Sequence, residues 1–131
     1  MEIIRDVINF RGVKLKMLIN KESLYALKII CYLSKQDKNR VIAGKEIADK
    51  EEISINFTLK ILGILARNDI VESFKGIRGG FKLKKYNINF YEIIKLIQKD
   101  IFISLEKKSE VEVFIHTVQE NLKSMLENKT I

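Results

Sequence analysis

The sequence predicts a mainly α-helical fold with one small β-hairpin, and three observations carry that prediction. Apolar residues recur at helical spacing in several separate stretches, starting at residue 21. Two short alternating runs, Ile70 to Phe74 and Phe81 to Leu83, flank a segment containing Gly76, Gly79 and Gly80. The tail from Glu110 to Asn128 repeats apolar residues at steps of four and three, as a helix seeking a partner does.

The elements follow in order. Asn20 is a natural N-cap for a first helix over residues 21–35, whose buried face is expected to hold Leu24, Leu27, Ile30, Cys31 and Leu33. Residues 36–40 are polar and read as a loop. Val41 to Ala43 is too brief for a helix and reads as a short strand. A second helix covers residues 45–50, with Ile47 and Ala48 inward. Ser54 caps a third helix over residues 55–68, where Phe57, Ile61, Leu62 and Leu65 share one face. Asn68-Asp69 can take the left-handed backbone that ends a helix without glycine. After the hairpin, a fourth helix spans residues 90–98. The terminal helix carries the seam Val111, Ile115, Val118, Leu122 and Met125. An apolar stripe on a single terminal helix needs a cover, either its own domain or a second copy, and the coiled-coil period favours the second copy.

This organisation divides the chain into an N-terminal extension (residues 1–16), a compact domain (17–88) and a connecting plus pairing region (89–131). Met17 opens the clear pattern. Residues 1–16 read either as translated upstream sequence or as a cationic arm.

Composition narrows the function. With 47% apolar and 31% charged residues the chain is expected to be a folded soluble domain. No apolar run approaches the ~18 residues of a membrane span. Glu2 and Asp6 interrupt the N-terminus, so it does not read as a secretory signal. With a single cysteine there is no internal disulfide framework. A cytoplasmic location and no membrane partner are expected. The net charge of +7 is unevenly placed. Lys75, Arg78, Lys82, Lys84 and Lys85 occur without an intervening acid, whereas the chain from Asn89 onward is nearly balanced. A concentrated basic segment suits a polyanion.

Helix, short strand, helix, helix, strand, basic glycine hairpin, strand is the order of a winged helix-turn-helix. The third helix would be the recognition helix, entering the major groove by its N-terminal end. The hairpin would be the wing. Asn56 and Lys60 supply polar side chains early in the third helix, and the Ser54 hydroxyl is placed to meet a phosphate or base edge.

Four segments, Leu18 to Leu27, Gly44 to Ala48, Ile53 to Phe57 and Ile70 to Phe81, resemble the Rrf-two family of bacterial regulators. The resemblance runs from Met17 to about Lys99 and returns at Val118 to Ile131. Its most specific part is the wing signature, serine through glycine-glycine-aromatic. It implies a homodimeric winged-helix transcription factor on a roughly palindromic operator, with double-stranded DNA as partner. It also implies DNA-contacting roles for Asn20, Lys21 and Ser23 at the first helix, for Ser54, Asn56 and Lys60 at the recognition helix, and for Lys75, Gly76 and Arg78 in the wing. Lys75 stands where the family has an arginine and lacks its planar fork; Arg78 at the tip is the alternative cation. Leu59 departs from the polar residue often found there, which implies a different base preference.

Many family members hold a two-iron cluster on three cysteines between the fourth helix and the pairing helix. Residues 100–109 contain no cysteine or histidine, and cluster ligation needs thiolates or imidazoles. The chain therefore resembles the members that lack the cluster, and no cofactor is expected. Such members admit a further regulatory partner protein.

The remaining features read as structural. Cys31 on an apolar face reads as a small hydrophobe. His116 has no ligand-type residue at coordinating spacing and reads as a surface or interface histidine. The hairpin glycines lack the G-K-[ST] of a nucleotide cradle. No catalytic constellation is evident, so an enzyme is not expected. The reading is a DNA-binding regulator, more a repressor than an activator. The rival is a winged-helix module that docks an acidic protein surface without binding DNA.

Overall fold

The computed structural model describes residues 19–99, 101–102 and 104–131; the expected N-terminal extension lies outside them. Five helices and one two-stranded antiparallel sheet are described: α1 (Lys21–Ser34), α2 (Gly44–Glu51), α3 (Ile55–Arg67), β1 (Val71–Phe74), β2 (Gly80–Leu83), α4 (Phe90–Gln98) and α5 (Glu110–Asn128).

Side-chain caps set four of the five helix starts; α2, entered from Ala43, has none. Asn20 Oδ1 accepts from the Ser23 N–H at 2.9 Å, Ser54 Oγ from Phe57 at 3.2 Å, Asn89 Oδ1 from Glu92 at 2.8 Å, and Ser109 Oγ from Glu112 at 3.3 Å. Each satisfies a backbone donor that the first turn leaves without an intrahelical acceptor. At the C-terminal end of α3, Asp69 takes φ 59°, the left-handed stop expected of Asn68-Asp69, and the Ile70 N–H returns to the Leu65 carbonyl at 2.9 Å.

α1 is the central element. It packs on α2, α3, α4 and β2, so its buried arc is broad: Ser23, Ala26, Leu27, Ile29, Ile30 and Leu33. This rotates the expected face. Leu24 and Cys31 are only half-buried, and Ala26 and Ile29 take the centre. The core continues through Ile47, Ile61, Leu62, Leu65, Val71, Ile93 and Ile94, all essentially inaccessible. Fully burying such aliphatic side chains contributes about 1.5–3 kcal/mol each before entropy is counted.

The expected strand at Val41 to Ala43 shrinks to one bridge. Ile42 and Phe81 exchange two backbone hydrogen bonds of 2.8 Å, and the chain then turns at Ala43 directly into α2. β1 and β2 pair in register Val71–Leu83, Glu72–Lys82, Ser73–Phe81 and Phe74–Gly80. The C-terminus returns to the domain: Phe90 N–H donates to Lys129 O at 2.9 Å, Ile131 N–H to Ile88 O at 2.8 Å, and Leu126 is buried.

A polar knot ties α1, its following loop and α2. The Tyr32 hydroxyl donates to one Glu46 carboxylate oxygen and Arg40 to the other, both at 2.5 Å, while Arg40 also donates to Gln36 Oε1 at 2.8 Å. The hydrogen bond from Tyr32, and then Arg40, holds the Glu46 carboxyl below its ordinary value; the same bond pushes the Tyr32 phenol up.

Candidate nucleic-acid interface

The starts of α1 and α3 lie side by side. Tyr25 and Phe57 meet edge to face with centroids 5.3 Å apart, and Lys60 Nζ is 3.3 Å from Glu22 Oε1. α3 has no acid in its first turn, and Ser54, Ile55, Asn56, Leu59 and Lys60 are all exposed. The Asn56 side chain has no hydrogen-bond partner among the described residues. A capped helix N-terminus free of acids favours an anion.

The hairpin meets the outward side of α3 through a short relay at its β2 strand. A Cβ at Gly44 would lie 2.8 Å from Leu59 Cδ2 and 3.6 Å from the Phe81 ring, so a side chain of α3 and one of β2 close over the start of α2. A Cβ at Gly80 would lie 2.4 Å from the Ile42 carbonyl oxygen, so only glycine lets β2 approach the Ile42 backbone this closely. At the tip, Gly76 takes φ 99° and its carbonyl accepts the Gly79 N–H at 2.9 Å. That closes a turn with Ile77 and Arg78 at its two central positions, both exposed.

The basic segment divides once folded. Lys84 pairs with Asp69 at 3.2 Å and Lys85 with Glu92 at 3.3 Å. Lys82 sits opposite Glu72 with Nζ 5.6 Å from the Phe74 ring centre. Lys75 and Arg78 have no ion-pair partner among the described residues.

The other expected contact residues vary. Asn20 is exposed, but its side chain caps α1 and its N–H donates to Gln98 Oε1 at 2.9 Å. Lys21 is exposed, with Nζ 5.5 Å from the Tyr25 ring centre. Ser23 must be corrected: its hydroxyl is fully buried and donates to Gln98 Oε1 at 2.7 Å, so that side chain is not presented to a phosphate. The expectations missed Glu22, which holds Lys60, and Gln98, which locks the start of α1. Glu22 could have been found as the acid beside an expected phosphate contact; Gln98 gives no local signal.

On α5, Val111 (66% exposed), Ile115, Val118 and Met125 (69%) are open, whereas Leu122 packs against the core. Burial pushes the Cys31 thiol up, which keeps it a thiol at neutral pH.

A helical core, a helix-turn-helix whose α3 has an exposed, capped start, and an antiparallel hairpin following it define a winged-helix protein. The chain belongs to the Rrf2 (Rrf-two) family, whose model, described as an iron-dependent transcriptional regulator, matches residues 19–130. It is 32% identical over 79 residues to the HTH-type transcriptional regulator NsrR of Shouchella clausii, covering 59% of this chain and 53% of that protein. It is likewise 32% identical over 78 residues to NsrR of Bacillus licheniformis, covering 58% and 54%. The chain thus spans about half the length of the curated relatives it matches. Among solved structures it is similar in fold to CymR, the global cysteine regulator of B. subtilis, with TM-score 0.75 and 24% identity over 86% of this chain and 91% of that one. The fold is also similar to T. potens IscR, with TM-score 0.72 and 18% identity over 86% and 81%. The family is one of transcriptional regulators, not enzymes. Among the described residues no helix is long and apolar enough to cross a membrane.

The family description implies iron, and the donor set does not fit a cluster. The chain has one cysteine and one histidine; Cys31 lies on α1 and His116 on α5. A two-iron cluster takes four thiolate or imidazole ligands. Among the described residues no three His, Cys, Asp or Glu side chains are grouped to hold a metal ion.

Proposed function

We propose that the chain is a sequence-specific DNA-binding regulator that acts as a homodimer on a palindromic operator, in the sense of a repressor. One observation carries this reading: Leu59, Gly44 and Phe81 join the outward face of α3 to a wing whose tip cations, Lys75 and Arg78, have no ion-pair partner among the described residues. α3 would enter the major groove, with Asn56 and Lys60 at base edges and Ser54 at the backbone. The wing would meet phosphates or the adjacent minor groove, and Asn20 and Lys21 the flanking backbone. The exposed Val111, Ile115, Val118 and Met125 would be covered by the same seam of a second copy. Two recognition helices would then lie about one helical turn apart on the duplex.

Such a regulator would work in the cytoplasm, and without a resident iron–sulfur cluster. Its signal would arrive by another route, for which a regulatory partner protein is our proposal.

The test is selection of duplexes from a random pool by the full chain, followed by mobility shift across a salt series. Enrichment of a two-fold symmetric site whose affinity falls steeply with salt supports the reading. Failure to enrich any duplex overturns it and favours the rival protein-docking module.

A further inference from the structure

The outward face of α3 carries two neighbouring rows. Asn56 and Lys60 form a polar row; Ile55 and Leu59, also four residues apart, form an apolar one. Four-residue spacing stacks each pair on one face of the helix. Ile55 is 39% exposed and Leu59 45%.

A lone exposed leucine means little. Leu59 differs in its setting. Its Cδ2 fills the room that any side chain at position 44 would take, and the Phe81 ring borders the same space. One side of Leu59 is therefore packed in place while the rest of the side chain stays open. Lys60 is its neighbour in sequence, and the wing that supplies Phe81 ends in Lys75 and Arg78. The result is an apolar row, held in place at Leu59, on a face proposed to meet a polyanion.

In the major groove the apolar feature that separates one base pair from another is the thymine C5-methyl. A leucine cannot pair with the cytosine amino group, and placing it there would strip water from a donor without replacing it. We propose that Leu59, with Ile55 beside it, reads thymine methyl groups in the major groove, so that the operator positions beneath α3 are thymine-rich. The proposal rests on the DNA-binding reading above.

The test uses the full chain and the duplex enriched from a random pool. Each thymine is replaced singly by deoxyuridine, which removes one methyl and leaves every hydrogen-bonding group. With the wild-type protein, one or two positions per half-site should weaken binding about threefold to fivefold per methyl, the scale of one buried methyl group. Those penalties should vanish with Leu59→Ala or Ile55→Ala. Equal binding of every thymine and deoxyuridine duplex by the wild-type protein overturns the proposal, with no variant needed; so do penalties that persist undiminished in both variants. Enrichment of a duplex with methyl-independent binding sinks this inference alone. Enrichment of no duplex sinks the DNA-binding reading and this inference with it.

Discussion

Lys60 reaches from α3 to α1, where its ammonium lies 3.3 Å from a carboxylate oxygen of Glu22. Both groups are substantially exposed, and an exposed pair of this kind is worth about 0–1 kcal/mol. An acceptor on DNA can therefore compete for Lys60 at little cost. Glu22 holds negative charge beside the surface assigned to DNA and should act as a brake on affinity. Glu22→Gln is expected to tighten binding to any duplex roughly twofold to fivefold at low salt, with the gain shrinking as ionic strength rises. Mobility shifts at two salt concentrations check this. Weaker binding would mean instead that Glu22 positions Lys60.

The wing cations should act on all sequences alike. Changing both Lys75 and Arg78 to Ala is expected to reduce affinity uniformly and to lower the slope of log K against log salt by about 2, near 0.9 for each phosphate no longer neutralised. Asn56→Ala should instead change which duplexes are preferred. A double wing variant with wild-type affinity would remove the wing from the interface.

Ile115 and Val118, proposed to pair two copies, are not needed by the core, since both are exposed on α5. A charge at either position, as in Ile115→Asp or Val118→Glu, is expected to shift sedimentation from dimer to monomer while leaving the helical circular dichroism nearly unchanged. A monomeric wild-type chain would contradict the pairing role of the seam.

Stability should depend on pH through the Tyr32–Glu46–Arg40 knot. The Tyr32 hydrogen bond, then Arg40, lowers the Glu46 carboxyl in the folded chain. A depressed folded value gives stability that is present above the unfolded carboxylate value and is lost as pH falls through the folded one. The Tyr32 phenol is shifted the other way, chiefly by the same bond, so its contribution is present below the unfolded phenol value and lost as pH rises through the folded one. Urea denaturation of Glu46→Gln against wild type should show the wild-type advantage at neutral pH and its decline in acid. A constant difference across the acid range would contradict the assignment.

Much of this fold was legible because its determinants are local. Asn20 and Ser54 announce helix starts, Asn68-Asp69 a helix end, and the glycines of residues 76–80 a hairpin. What escaped depends on distant partners. Ser23 looks like a phosphate donor at a helix start, and only Gln98, 75 residues away, decides that its hydroxyl is buried. The rotation that leaves Leu24 and Cys31 half-buried follows from four elements packing on α1, which periodicity along one helix does not encode. The charge run from Lys75 to Lys85 read as one patch, whereas folding consigns Lys84 and Lys85 to acids on neighbouring segments. The candidate surface was visible as a set of residue types; its division into engaged and available groups was not.

The close approach of Gly80 to the Ile42 backbone reaches beyond the hairpin itself. Ile42 leads directly into α2, so the base of the wing is anchored to the helix-turn-helix and not hung from a free loop. On the proposed reading the molecule would work as a caliper: the stretch of duplex met by the hairpin would stand at a set offset from the bases under α3. DNA of the right letters but the wrong twist between those two points should be rejected on geometry alone.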